Sequence, residues 1–290
     1  MKIDAHCHTD CSDGNVTIEE RIQMIKDAGY GAATITDHDF VSEEMVRRAK
    51  KAAGDIPFIP GIEFSLMEAG KTVHLLGYYI DPAHPDLQAQ IQKAQDLDKA
   101  ITTKILEAYR PLGVNFEIDD LLSDSLHTFY SLQFIRRVAR EFFDNDGSKM
   151  MPYFLKTLNK LKLSYAEFAP WPVRDAIDLI HKTGGIAVFA HPGGADDPVM
   201  QTLGFILADE DLIKKFVDWG VDGIEASHPC HNQKETVFLS TQAAKYGLLE
   251  TAGSDCHGDD PYLGPKTMGV FTDIPDDLYE QMEKCYHDRH

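Results

Sequence analysis

Positive charge is scarce in this chain: 28 lysines and arginines stand against 47 aspartates and glutamates, a formal charge of −19. Such a field repels a phosphate backbone and excludes long nucleic acid as a tight partner, while leaving a short oligonucleotide open. Long apolar runs are missing as well. No stretch approaches the ~20 apolar residues of a membrane span, so no membrane partner is expected. The opening Met1-Lys2-Ile3-Asp4 has no apolar h-region, and no secretory leader is expected. Cysteine is sparse, odd in number and scattered, at Cys7, Cys11, Cys230, Cys256 and Cys285. That pattern describes no disulfide framework and fits a reducing, cytoplasmic location. Internal repeats and low-complexity tracts are lacking too. Nothing in the composition indicates an oligomeric state.

What remains is an ordinary globular composition, 43% hydrophobic over 290 residues, enough for one α/β barrel or two smaller domains. Strand patterns fall at 2–5, 32–36, 58–64, 72–78, 186–190, 223–226 and 248–252. Helical patterns lie between most of them, at about 18–28, 42–53, 173–183, 207–219 and 232–246. Thr17-Ile18-Glu19-Glu20 is a capping box, with Ile18, Ile22 and Ile25 following at helical spacing. The middle of the chain differs. Helical patterns at 86–109, 131–143 and 148–161, punctuated by Pro111, Gly113, Gly147 and Pro152, predict a helical insertion over 85–171. Residues 1–84 and 172–290 would then form the barrel domain. Alternating strands and helices predict parallel barrel geometry, which places chemistry at the C-terminal strand ends.

Thirteen histidines are present, and they cluster at those ends. His6 and His8 end the first strand, His38 the second, and Glu63 the third. His74 lies on the fourth, His191 ends the fifth, and Asp255 and His257 end the last. A lone histidine in such a place is more often a hydrogen-bonded rim residue than a ligand. The pair His6-x-His8 is different, because period-two geometry puts both imidazoles on one face of a strand. Asp255-x-His257 repeats the arrangement. Asp13, in Ser12-Asp13-Gly14, reads by itself as turn chemistry. Cys7 and Cys256 alternate away from their neighbours and read as small buried residues; a zinc site from Cys7, Cys11 and Cys256 is the alternative. His228 and His231 follow the sixth strand. His228 is a candidate to touch phosphate or to protonate a leaving group. His231 reads as a rim residue, and Glu225 as a partner for a neighbour. His84, His127, His181, His287 and His290 read as surface residues.

Asp4-Ala5-His6-Cys7-His8-Thr9 with Ser12-Asp13-Gly14, then Thr36-Asp37-His38, Gly61-Ile62-Glu63, Ala190-His191-Pro192 and Gly253-Ser254-Asp255-Cys256-His257-Gly258, resemble the motifs of the PHP (polymerase and histidinol phosphatase) family. The resemblance covers the chain apart from the insertion. It implies a distorted (β/α)7 barrel of the PHP type with three divalent metal ions. One ion would be held by His6, His8, Glu63 and Asp255. A second would share Glu63 and add His74 and His191, and a third would take Asp13, His38 and His257. Nitrogen and oxygen donors without thiolate suit Mn, Fe or Zn. Water bridging two such ions supplies hydroxide near neutral pH, the expected nucleophile. On this reading Glu63, Asp255 and His228 are the residues on which turnover depends most. The expected activity is hydrolysis of a small phosphate ester: a nucleotide such as AMP or a 3′,5′-bisphosphate, or a cyclic sugar phosphate. An amidohydrolase-type hydrolase and a non-catalytic metal-binding domain are the alternatives. The first often bridges its metals with a lysine, and no lysine here ends a strand. Arg136 and Arg137, in the insertion, are the candidates for substrate binding, since arginine suits phosphate. Consecutive helix residues point about 100° apart, so at most one should face the site. The family's insertions carry a Gly-Arg-Pro-His type motif near here, where this chain reads Tyr130-Ser131-Leu132-Gln133-Phe134.

Overall fold

A computed structural model describes residues 1–122, 129–163, 165–260, 264–266, 268 and 273–290. The elements are, in order, α1 (Ile18–Asp27), β1 (Ala33–Ile35), α2 (Glu43–Ala53), β2 (Phe58–Glu68), β3 (Lys71–Tyr78), α3 (Pro85–Tyr109), α4 (Tyr130–Phe142), α5 (Gly147–Leu161), α6 (Val173–Lys182), β4 (Ile186–Phe189), α7 (Pro198–Leu203), α8 (Glu210–Asp218), β5 (Gly223–Ser227), α9 (Gln233–Tyr246), β6 (Leu249–Ala252), β7 (Gly258–Asp260), β8 (Gly264–Lys266) and α10 (Leu278–Arg289). Local chemistry accounts for many of the boundaries. The Thr17 side chain accepts from Glu20 N and the Glu20 side chain from Thr17 N, closing the capping box of α1. Ser42 caps α2, and Asn232 with Glu235 forms a second capping box at α9.

Strands β1 to β6 form one curled sheet in sequence order. The segment expected as a strand at 2–5 is extended but makes no regular ladder. It lies between the two edges of the sheet and bonds to both. Lys2 O accepts from Gly31 N and Cys7 O from Thr36 N on the β1 side. Ala5 N donates to Ala252 O and His8 N to Cys256 O on the β6 side. This seventh, irregular strand closes the distorted barrel and puts the His6–His8 segment between the ends of β1 and β6.

One expectation about direction is corrected. β3 runs antiparallel to both β2 and β4, and the other pairs are parallel. The reason is the connection. β2 and β3 are joined by Ala69 and Gly70 alone, both at positive φ (50° and 76°), a two-residue hairpin turn. A parallel crossover needs a dozen residues or more. Glu63 therefore lies within a long strand rather than at its end, with His74 within β3 as expected, and both face the site from mid-hairpin. The expected helix at 207–219 is shorter, as α8, with α7 separate from it. The small β7–β8 pair and α10 were not anticipated.

The apolar interior falls into two clusters. One fills the barrel and packs its surrounding helices onto it. The other lies among α3, α4 and α5, built from residues such as Ile105, Tyr109, Phe134, Val138 and Phe154. Among the described residues no helix is long and apolar enough to cross a membrane.

Candidate metal centre and active site

Glu63 sits at the middle of the site, buried, with imidazoles around both oxygens. Its Oε2 is 3.0 Å from His6 Nε2, 3.2 Å from His8 Nε2 and 3.3 Å from His38 Nδ1. Its Oε1 is 2.9 Å from His74 Nδ1 and 3.0 Å from His191 Nε2. The carboxylate thus stands between two groups of donors. Asp255 Oδ1 joins the first group, 3.6 Å from His6 Nε2 and 3.1 Å from His8 Nε2. Asp13 gathers a third: Oδ2 is 3.0 Å from His257 Nε2 and 3.7 Å from His38 Nε2, and Oδ1 is 3.5 Å from His8 Nδ1. All nine residues singled out for metal binding are brought together. His8 stands close to the Asp13 group as well as to the His6–Glu63 group.

The donor set fits divalent cations on its own geometry. Both ring nitrogens of the buried His8, and Nδ1 of His38, have no hydrogen-bond partner although carboxylate oxygens lie close by. Ring nitrogens and carboxylate oxygens converging on a shared point without mutual hydrogen bonds are what a cation takes up. Charge points the same way. Burial would raise the Glu63 carboxyl, but the imidazoles of His38, His6 and His74 outweigh it and hold Glu63 well below the usual carboxylate range. Burial pushes His38 down to about 3, leaving a neutral imidazole at physiological pH. For His8 burial also lowers the value, yet Asp13, Asp255 and Glu63 carry it up to about 10. Without cations, protons on such rings balance the carboxylates; bound cations replace them.

Several supporting residues hold this arrangement. Glu225 lies 3.1 and 3.2 Å from His6 Nδ1 through its two oxygens and accepts from His191 N at 2.8 Å. It fixes the His6 ring so that Nε2 points to Glu63. Asp37 accepts from Thr9 N, Thr9 Oγ1 and Ser12 Oγ at 2.7, 2.6 and 2.6 Å, tying down the loop that carries Asp13. Arg21 went unrecognised in the sequence. It is fully buried, and donates from Nε to His8 O (2.9 Å) and from Nη2 to Cys256 O (3.0 Å), linking two ligand-bearing segments. The available signal was an arginine amid Ile18, Ile22 and Ile25, on the helix face that must be buried. Gly253 has a packing reason: a Cβ there would stand 2.3 Å from His6 Cβ. His191 and Asp255 hold positive φ, 27° and 50°, strain that tertiary contacts sustain and that is typical of functional positions.

His228 is buried beside the cluster. Its Nδ1 accepts from Cys230 N at 3.1 Å, so the neutral ring carries its proton on Nε2, 3.4 Å from Asp255 Oδ2. Burial pushes it down to about 4. His231 bonds to Ala226 O and accepts from Gly193 N, a structural use of both ring nitrogens. Cys7 and Cys256 are buried as read. Cys7 Sγ donates to Thr34 O, away from the imidazoles, and no thiol joins the nine donors. His84 caps α3, His181 pairs with Asp222 at 2.8 Å instead of lying free on the surface, and His127 lies outside the described residues.

The two insertion arginines separate as helix geometry requires. Arg136 donates from Nη2 to Asp13 O at 2.9 Å and to Gly14 O at 3.2 Å, at the edge of the cluster. Arg137, expected as a substrate residue, is turned away. It pairs with Glu141 at 3.0 Å, reaches Asp120 O and lies 4.0 Å over the Phe116 ring, all within the insertion. Two aromatic rings flank the donors: Phe129 is 6.1 Å from His38, and Phe205 stands edge-on to His74 and His191 at 4.7 and 5.4 Å.

A curled sheet with this convergence of imidazoles and carboxylates defines a metal-dependent hydrolase, and the comparisons name its class. A sequence model of the PHP domain matches residues 4–141. The 3′,5′-nucleoside bisphosphate phosphatase of Chromobacterium violaceum is 32% identical over 279 residues, 94% of this chain and 92% of that protein. A 5′-3′ exoribonuclease of Haemophilus influenzae is 27% identical, covering 98% of both chains. Among solved structures, one from Bifidobacterium adolescentis assigned as a metal-dependent phosphoesterase shares the fold, with a TM-score of 0.78 over 98% of this chain and 96% of that one, at 21% identity. The chain belongs to the PHP family. It is accordingly a metal-dependent phosphoesterase.

Proposed function

We propose that the chain removes a phosphate from a small nucleotide, with a 3′,5′-bisphosphonucleoside as the preferred substrate and the end of a short oligonucleotide as the second reading. The observation that carries the chemistry is Glu63, whose two oxygens face two separate sets of imidazoles. Three divalent ions are assigned: one to His6, His8, Glu63 and Asp255, one to Glu63, His74 and His191, and one to Asp13, His38 and His257, of Mn, Fe or Zn. When bound, such ions acidify water and neutralise phosphate oxygens. Glu63 balances charge on both sides of the site, and Glu225 keeps His6 in the required tautomer. Nε2–H of His228 would donate to a phosphate oxygen or leaving group near Asp255, a role its 3.4 Å distance from Asp255 Oδ2 supports. The nucleotide class is supported by the name of the bisphosphate phosphatase relative and by Phe129 and Phe205, flat apolar surfaces suited to a base.

Residues 85–171 are read as a lobe with its own apolar interior, rooted after β3 and reaching the site through Phe129 and Arg136. No disulfide joins any of the five cysteines, which agrees with a reducing cytoplasm. The test is phosphate release with Mn²⁺ from bisphosphonucleosides, nucleoside monophosphates, cyclic phosphates and sugar phosphates. The highest kcat/KM is expected for a bisphosphonucleoside. A sugar phosphate turned over best would overturn the substrate assignment.

A further inference from the structure

Asp13 differs from the other eight donors in having no strand beneath it or next to it. It stands in the loop between the first segment and α1, and its carboxylate position depends on what holds that loop. One side is secured within the barrel. Gly14 N and Ser12 N donate to Thr9 O, Asn15 N donates to His257 O at 2.9 Å, and Asp37 grips Thr9 and Ser12. The other side is held from the insertion, where Arg136 Nη2 donates to the carbonyls of Asp13 and Gly14 together. The same residue thus offers its backbone to the insertion and its carboxylate to His257, His38 and His8.

Helix α4 is fixed well enough to give that clamp a definite place. Phe134 and Val138 are buried in the insertion's interior, and Arg136, two positions from each, is rotated about 200° to the opposite face. At the helix start, Asp98 of α3 accepts from Ser131 N at 3.1 Å, satisfying an end group that no side chain of α4 caps. The guanidinium also brings one of few cations close to a cluster crowded with carboxylates.

We propose that Arg136 is a positioning residue for the donor group of Asp13, His38 and His257, beside which His8 stands. The insertion then helps to assemble a cation site whose donors all come from the barrel. The proposal rests on the metal reading above, and it assigns Arg136 a role that precedes any contact with substrate. Loss of the clamp frees the Asp13 backbone and loosens the cation of that group, while the groups around His6 and around His74 keep theirs.

The experiment is Mn²⁺ binding without substrate, by calorimetric titration with elemental analysis after dialysis, on the full-length wild type, Arg136→Ala, Arg136→Lys and Arg137→Ala. Wild type and Arg137→Ala should bind alike. Arg136→Ala should weaken one binding event by roughly tenfold or more, the usual cost of losing an outer-shell partner. Arg136→Lys, which can still reach one carbonyl, should recover part of it. If Arg136→Ala does not fold, Arg136→Lys and Arg136→Gln carry the test, and each should show one weakened event with the others unchanged. Unchanged Mn²⁺ affinity and stoichiometry in the Arg136 variants overturns the proposal alone; a raised KM with unchanged binding would mark Arg136 as a substrate contact instead. A wild type that takes up no Mn²⁺ overturns the metal reading together with the proposal.

Discussion

The barrel and the helical insertion treat charge in opposite ways. In the barrel, Glu63, Glu225, Asp13 and Asp255 are drawn inward with carboxylate oxygens 2.9–3.7 Å from imidazole nitrogens, and Asp37 is buried against Thr9 and Ser12. In the insertion, charges are paired locally near the surface, Lys99 with Asp119, Arg110 with Glu117 and Arg137 with Glu141, around an apolar interior. A surface pair contributes little, because water competes for both partners. A buried set is costly unless something compensates it. The contrast says where chemistry is concentrated: the barrel buries several like-charged donors that cations can balance, whereas the insertion's buried Asp98 is met by a backbone N–H of Ser131. Strand geometry makes this possible, since alternate residues of adjoining strands aim at one place, whereas a helix spreads neighbouring residues around its axis.

The strongest challenge to this contrast is Glu63→Gln. Its amide keeps the shape and loses the charge shared by the two imidazole groups. Removing one partner from a buried charged set costs about 3–5 kcal/mol, so kcat/KM should fall by roughly 10³-fold, with metal content reduced in elemental analysis. Glu225→Gln should follow at about 10–100-fold in metal affinity or activity, measured by Mn²⁺ activation curves. His228→Asn should lose about 10–100-fold in kcat with metal content intact, a hydrogen bond to a charged group being worth about 1.5–3 kcal/mol. If the His228 variant were deader than Glu63→Gln while both retained metal, the central place of Glu63 would fall. Arg137→Ala, by contrast, should leave kcat and KM within about twofold, because its exposed pair with Glu141 serves only the insertion. A large loss there would blur the distinction between the two regions.

How far the sequence foretold this depends on how local each relation is. His6-x-His8 and Asp255-x-His257 announce themselves because both members sit on one short segment. The capping box at Thr17 and the helices α3, α4 and α5 were legible from spacing and punctuation for the same reason. What escaped was non-local or hidden by periodicity. The reversed direction of β3 follows from a turn of two residues, Ala69 and Gly70, whose importance appears only once β2 is known to extend to Glu68. Arg21 lies on the apolar face of α1, but what it serves is legible only when His8 O and Cys256 O, 13 and 235 positions away, are seen to meet it. The separation of Arg136 from Arg137 was foreseen as a rule of helix geometry, but which of the two faced the cluster depended on how α4 packs on α3. The partner of His6, Glu225, lies 219 residues distant and has no motif of its own.

The most direct test of the account is the number of ions held by the wild-type chain. After loading with Mn²⁺ and dialysis, elemental analysis should find about three ions per chain, with one lost in Asp13→Ala and the remainder retained. Less than one ion per chain in the wild type would contradict the claim that the nine barrel residues exist to hold a metal cluster.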